Sequence, residues 1–273
     1  MDALEQVDAW PVDHVAAGVS GPEDTFETHG PADRPFRLAS VTKVLTAVAV
    51  LVAVEEGTVG LDEPAGPPGS TVRHLLAHAS GLPFDGDRTP LTAPGRRRIY
   101  SNVGFEWLAD HVAVRAGIDF ATYATEAVID PLGLTGTTLR GSPAAGENAS
   151  TVDDVLALGR AWLRPSILAP ETLAEATRPV FDLPGVLPGV GRFDPLDWGL
   201  GVEIRDAKDP HWTGAANSPE TFGHFGGSGT FLWVDPVAGV ICACLTDREF
   251  GGWALEAWPP FSDAVLTSFR PGS

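Results

Sequence analysis

The sequence predicts an α+β fold in which one antiparallel sheet is built from both ends of the chain and flanked by helices, with a helical segment inserted between the two halves. Three observations point there. Strand-like runs occupy the N-terminal stretch and return after Trp198, the text between them has helical apolar spacing broken by Gly and Pro, and the last residues read as helix again. The expected division is a sheet domain of residues 1–56 and 164–273, a mainly helical subdomain of 57–163, and a site between them. At 273 residues the chain is long enough to bury a substantial core.

Taken in order, residues 14–20 (HVAAGVS) and 24–30 (DTFETHG) read as strands joined by the Gly21-Pro22 turn. A helix begins at Ser40. Its apolar run from Val41 to Val54 is too short and too near Glu55 and Glu56 to span a bilayer, and Gly57 is a natural stop. Helical spacing recurs over 70–81, 102–117, 120–133 and 150–163, each ending at or near Gly or Pro. Ser150 or Thr151 caps the last of these, with Asp153 and Asp154 suited to its first turn. Residues 198–206, 221–227, 229–236 and 239–247 read as strands, and a final helix is expected near 260–269. The Pro/Gly stretches 60–70 and 183–195 read as loops, and no internal repeat occurs.

Charge and composition exclude several functions. With 36 acidic and 18 basic residues the formal charge is −18, which argues against nucleic acid and anionic membranes as partners. The N-terminal stretch has neither the basic nor the apolar segment of a signal peptide, so the chain as given is expected to be cytoplasmic. Cys242 and Cys244 lie two apart in an apolar run, a poor geometry for a bridge and too few ligands for zinc, and read as buried free thiols. No cofactor is implied.

One lysine breaks the apolar helix. A capping box would place Glu or Gln three residues after Ser40, but the chain has Lys43 there, where the helix dipole opposes a cation. A plain cap would not choose it. The i, i+3 spacing sets the Ser40 hydroxyl and Lys43 amine on one face within hydrogen-bonding reach. Burial and the helix N-terminus disfavour the ammonium form, so a neutral amine can take the serine proton. The chain has two lysines, Lys43 and Lys208, against 16 arginines, and a chance Ser-x-x-Lys is expected only about 0.1 times. Arginine cannot deprotonate, so a site needing a neutral amine must keep lysine.

A nucleophilic serine needs a second proton carrier, and Tyr100-Ser101-Asn102 offers one. Tyr100 can shuttle a proton if a nearby amine lowers its pKa, while Asn102 can orient Lys43 and a substrate amide. Ser101 or Asn102 is equally suited to cap the helix that follows, and both readings stay open on local grounds. Residues 223–231 (GHFGGSGTF) hold four glycines where a strand would prefer side chains, which suggests close approach by a ligand.

Together these stretches resemble a known family. Ser40-Val41-Thr42-Lys43, Tyr100-Ser101-Asn102 and His224-Phe225-Gly226 are similar, in order, to the three motifs of the serine β-lactamase and penicillin-binding protein superfamily. The Tyr-x-Asn motif resembles the class C enzymes with their esterase and D-amino-peptidase relatives. Residues 74–83, 94–109 and 130–139 are similar to that group too, so the likeness covers nearly the whole chain.

The resemblance implies a β-lactamase/transpeptidase-like fold and a covalent acyl-enzyme on Ser40, with Lys43 as base and Tyr100 as proton shuttle and activator of the hydrolytic water. Asn102 would position substrate, and His224 and Gly226 would line the pocket from the edge strand. The amides of Ser40 and Gly227 would form the oxyanion hole. His224 departs from the family's Lys, which anchors a substrate carboxylate. The expected partner is therefore a small ester or amide, with a β-lactam or D-amino-acid peptide as alternative. A sensor acylated once without turnover and a non-catalytic scaffold are rival readings, and oligomeric state is left open.

Other residues are expected to be structural. His74 and His78 lie four apart on one predicted helix face but lack a third metal ligand, so no metal site is expected. Arg96, Arg97 and Arg98 read as a solvated loop, with a carboxylate dock beside Tyr100 as the lesser reading. Glu147 resembles a deacylating glutamate only superficially. The G-x-S-x-G of the α/β-hydrolases does not occur.

Overall fold

The computed structural model describes residues 3–269. A 3₁₀ turn (Leu4–Ala9) leads into β1 (Val15–Ser20), β2 (Thr25–His29), the short β3 (Phe36–Arg37), and a second 3₁₀ turn (Ala39–Val41) that opens into α1 (Thr42–Glu55). Then come α2 (Val72–Leu76), α3 (Asn102–Ala116), α4 (Phe120–Ala124), a π-helical turn (Thr125–Ile129) and α5 (Asp130–Leu132). After β4 (Ala149–Ser150) follow α6 (Val152–Leu163), α7 (Pro170–Ala176), the hairpin β5 (Gly185–Leu187) and β6 (Gly191–Phe193), and β7 (Glu203–Ile204). The chain closes with β8 (Phe222–Gly226), β9 (Thr230–Asp235), β10 (Val240–Thr246) and α8 (Gly252–Ser268).

Six strands form one antiparallel sheet in the order β2-β1-β10-β9-β8-β7, so β10 from the C-terminal half pairs with β1 from the N-terminal half. The α+β fold with a sheet made from both chain ends is thus what the sequence predicts. Alternate residues of β10 serve two cores. Ile241, Ala243 and Leu245 join the cluster containing α1 and α6, whereas Val240, Cys242 and Cys244 join the cluster containing α8. Burial on both faces is why these strands read as nearly continuous apolar runs. Both cysteines are free and buried.

Helix α1 runs through the first core with 11 of its 14 residues buried. Helix α6, assigned from sequence to the helical insertion, lies on the sheet instead. Gly18 and Gly159 let it come close, since a Cβ would stand 2.7 Å from Leu156 at Gly18 and 2.6 Å from Ile241 at Gly159. No helix among the described residues is long and apolar enough to cross a membrane.

Several expected boundaries shift. Helix α8 begins at Gly252 rather than near 260 and contains Pro259 and Pro260. Proline forfeits backbone hydrogen bonds there, but Ala254, Trp258, Phe261, Val265 and Leu266 are fully buried against the sheet, and that packing outweighs the local cost. The strand expected over 198–206 is ladder only at Glu203–Ile204. The stretch 183–195, expected as loop, contains the β5–β6 hairpin.

Candidate active site

The site forms where α1 meets the edge of the sheet and the start of α3. Ser40 lies in the 3₁₀ turn just before α1, and Ala39 before it adopts a positive φ of 45°, a left-handed conformation costly for a residue with a Cβ. Strand β8 comes hard against this turn. A Cβ at Gly226 would lie 2.4 Å from the Leu38 carbonyl and 2.8 Å from the Thr230 hydroxyl. The glycine therefore admits close backbone packing beneath Ser40. At Gly227 the space is open, and this residue lines the Ser40 pocket.

Lys43 is fully buried, and its Nζ has three neighbours: Ser40 Oγ at 3.2 Å, Asn102 Oδ1 at 2.6 Å and the Ala144 carbonyl at 2.6 Å. The Asn102 orientation follows from its other contact, in which Nδ2 donates to Asp85 at 2.8 Å. Burial holds the Lys43 pKa well below its ordinary value, and the carboxylates of Asp85 and Glu106 only partly counter this. A neutral amine has two N–H donors and one lone pair. Asn102 Oδ1 and the Ala144 carbonyl can only accept, so they take both donors and leave the lone pair facing the Ser40 hydroxyl.

Ser101 resolves the ambiguity of the middle motif. Its Oγ accepts from Gly104 N at 2.9 Å and caps α3, so neither Tyr100 nor Asn102 is needed for the cap. Tyr100 is buried, with its ring 4.7 Å from Lys43 Nζ and its hydroxyl 3.4 Å from His224 Nε2. Its pKa is not lowered by the amine, as the sequence reading required. Burial raises it above the ordinary phenol value and the nearby Ser40 hydroxyl only partly offsets this, so Tyr100 is a neutral phenol at pH 7. His224 is buried too, and its Nδ1 donates to the Phe225 carbonyl at 2.6 Å. That bond leaves Nε2 as an acceptor facing Tyr100. Burial, reinforced by Lys43, pushes the His224 pKa down to about 3.

Ser40 opens into an apolar cavity of about 230 Å³ walled by Leu187, Pro188, Trp198, Phe225 and Phe250, with His224 and Gly227 on the same wall system. Phe225 belongs to the third motif on β8, whereas the other walls, from the hairpin, the 198–206 segment and the loop after β10, carry no motif that marks them in the sequence. Glu203 also reaches this cavity. It is buried, and its carboxylate is engaged by Lys208 at 3.0 Å, His211 at 3.0 Å and Trp212 Nε1 at 3.1 Å. Burial raises its pKa, but these cationic and hydrogen-bonding neighbours outweigh that together and bring it down to about 2.

Other expected candidates fall elsewhere. Helix α2 ends at Leu76, so His74 and His78 do not share a helix face. His74 stacks on Phe181, whereas His78 takes a φ of 53° and packs its ring 4.6 Å from that of Tyr100. Arg98 is not solvated. It is buried and donates to the carbonyls of Ala77, Val180, Phe181 and Leu196, tying together four segments behind Tyr100. Arg96 and Arg97 are exposed. Glu147 is exposed and 4.0 Å from Arg37. No group of three or more His, Cys, Asp or Glu among the described residues is placed to hold a metal.

Known proteins share this architecture. A crystal structure of a beta-lactamase from Mycobacterium bovis superposes with a TM-score of 0.96 at 54% identity, covering 98% of this chain and 100% of that one. Unliganded simvastatin synthase from Aspergillus terreus gives 0.79 at 18% identity over 99% of this chain and 98% of its own, a likeness of fold alone. Among curated proteins, D-alanyl-D-alanine-carboxypeptidase/endopeptidase AmpH of Escherichia coli K12 is 29% identical over 147 residues. That match spans 41% of this chain and 38% of the relative, so well under half of the curated relative's length is matched. The family model described as Beta-lactamase matches residues 14–265, from the first sheet strand to the last turns of α8, and the chain accordingly belongs to the beta-lactamase family.

Proposed function

We propose that the protein hydrolyses small esters or amides through an acyl-enzyme on Ser40. The observation that carries this is the lone pair of buried Lys43, left facing the Ser40 hydroxyl once Asn102 and Ala144 have taken its donors. Lys43 removes the Ser40 proton as Oγ attacks the carbonyl carbon. The amides of Ser40 and Gly227 stabilise the oxyanion, where one such donor is typically worth about 10²- to 10³-fold in rate. Tyr100, a neutral phenol held by His224 Nε2, hands its proton to the leaving group; in deacylation the resulting phenolate takes a proton from the water that attacks the acyl carbon, and Lys43 returns its proton to Ser40 Oγ as the ester bond breaks. The reaction takes place between the sheet and the helical insertion.

Neutral substrates fit this pocket better than β-lactams. The walls are apolar, and His224, where the family has Lys, is uncharged across the physiological range. It therefore anchors a carboxylate next to Ser40 weakly. The beta-lactamase name of the 54% identical relative favours β-lactam hydrolysis as the second reading. The deciding measurement is kcat/KM for p-nitrophenyl esters of graded chain length, nitrocefin and D-Ala-D-Ala peptides at pH 5 to 8, alongside labelling by a fluorophosphonate. The expected result is labelling at Ser40 with ester turnover well above nitrocefin turnover. Efficient nitrocefin hydrolysis at pH 8 would select the second reading, a burst equal to enzyme without steady turnover would select a sensor, and no labelling would leave a scaffold.

A further inference from the structure

We propose that the groove outside the Ser40 pocket is a leaving-group site, selecting substrates whose departing alcohol or amine has an extended apolar body ending in an anion. This deepens the acyl-enzyme reading and rests on it. The groove encloses about 480 Å³ and adjoins the inner cavity, with Phe84, Tyr100 and Pro188 bordering both. Ser40 and Gly227 line only the inner cavity. Acyl transfer forms the Ser40 Oγ–carbon bond and breaks the carbon–heteroatom bond, and the departing heteroatom takes up a proton from Tyr100. The acyl group therefore occupies the cavity with the oxyanion donors, and the leaving group extends past Tyr100 into the groove.

Two independent features define what the groove accepts. The first is apolar surface. Phe84, Leu91 and Val186 are 51%, 61% and 48% exposed, and all three stand on this groove, although only six large apolar side chains are exposed among the described residues. A cluster of that kind beside an active site marks a binding surface. The second is charge. Arg97 and Arg192 also line the groove, both exposed, and neither side chain makes a hydrogen bond or ion pair with any described residue. In a chain of net charge −18, two unpaired guanidinium groups at one opening form a local exception to a field that otherwise repels anions. Both arginines line the outer groove and not the Ser40 cavity, so the anion they favour sits at the far end of the leaving group, unlike the carboxylate of a β-lactam.

The test uses acetyl esters of 4-hydroxybiphenyl that carry at the distal ring no charge, a carboxylate, a phosphonate or a trimethylammonium group. For the unmodified protein we expect the anionic esters to exceed the neutral one in kcat/KM by about 5- to 30-fold, the range for one or two charge-assisted contacts at an exposed site. The cationic ester should fall below the neutral one, and added salt should shrink both differences. In Arg97→Gln/Arg192→Gln the anionic-to-neutral ratio should fall to near one, and the carboxylate and phosphonate arms identify which anion is preferred. Equal kcat/KM across the four esters, or a preference that survives the double substitution, would overturn the proposal. So would a change in oligomeric state on size-exclusion chromatography with the ratio unmoved, which would make this face an interface between copies. Absence of turnover for every ester, together with absence of Ser40 labelling by a small fluorophosphonate, would overturn the parent reading itself.

Discussion

The charge state of a single buried amine decides how the site works. An ammonium at Lys43 would donate to all three neighbours and leave Ser40 without a base in the proposed mechanism; burial disfavours that form, and a neutral amine donates to two and accepts from the third. Substituting Lys43→Arg installs a permanent cation and loses the lone pair, so kcat/KM for a p-nitrophenyl ester should fall to within about tenfold of Ser40→Ala. Lys43→Met, uncharged and of similar length, should show the same loss without burying a cation. Retention of more than a few per cent of turnover by either variant would remove Lys43 from the role of base. Tyr100→Phe deletes one hydroxyl that faces His224 Nε2 and leaves the ring against His78 and Phe84. Its thermal midpoint should stay near that of the unmodified protein while turnover drops about 10²- to 10⁴-fold. An unchanged rate would reduce this tyrosine to packing.

At the level of elements, the contact between β8 and the nucleophile turn is the joint on which the site depends. A methyl group at Gly226 would meet the Leu38 carbonyl at 2.4 Å, and backbone cannot swing aside as a flexible side chain can. Gly226→Ala should therefore cost about 1–3 kcal/mol and reduce Ser40 labelling, whereas Gly227→Ala, with nothing within 4 Å, should unfold close to the unmodified midpoint. Equal denaturation midpoints for the two variants would contradict this. The same joint shows what sequence can and cannot convey. Ser40, Lys43, Tyr100 and Asn102 were legible because a misplaced lysine and a rare tyrosine stand at spacings that local chemistry explains. The sheet was legible because strands buried on both faces read as apolar runs. The packing of Gly226 on the Leu38 carbonyl was not legible, since a glycine does not announce which neighbour it admits. Helix α8 was cut short at its prolines, whose local cost is visible while the buried face of Trp258 and Phe261 is not. The β5–β6 hairpin, which walls the pocket with Leu187 and borders the groove with Val186, was hidden in Pro/Gly-rich text. Three-residue strands are fixed by tertiary neighbours such as Arg98, whose backbone bridges to Gly185, and they carry no periodicity of their own.

For the whole molecule, the site imposes a pH dependence on stability that competes with the chain's acidity. Burial holds the folded pKa of His224 at about 3 against 6.5 as the ordinary value, and burial lowers His78 in the same direction. Between those two values the unfolded chain binds a proton that folded His224 refuses, so the contribution of His224 to stability is fully present above about pH 6.5 and is lost as pH falls toward 3. Across that window His224 costs up to about 1.4 kcal/mol per pH unit. Opposing this, an excess of 18 negative charges repels itself, and protonating carboxylates relieves the strain. That relief comes mainly below about pH 5, where ordinary carboxylates begin to titrate, so from pH 6.5 to 5 the buried imidazoles prevail. Thermal unfolding should therefore shift downward across this interval. His224→Asn can keep the donor to the Phe225 carbonyl while removing the titrating ring, so its midpoint should fall less steeply, by about 2–4 °C for each kcal/mol no longer lost. Parallel midpoints for the two proteins from pH 7.5 to 5 would mean that His224 accepts a proton within the fold, and a neutral pocket could not then be the reason for preferring uncharged substrates.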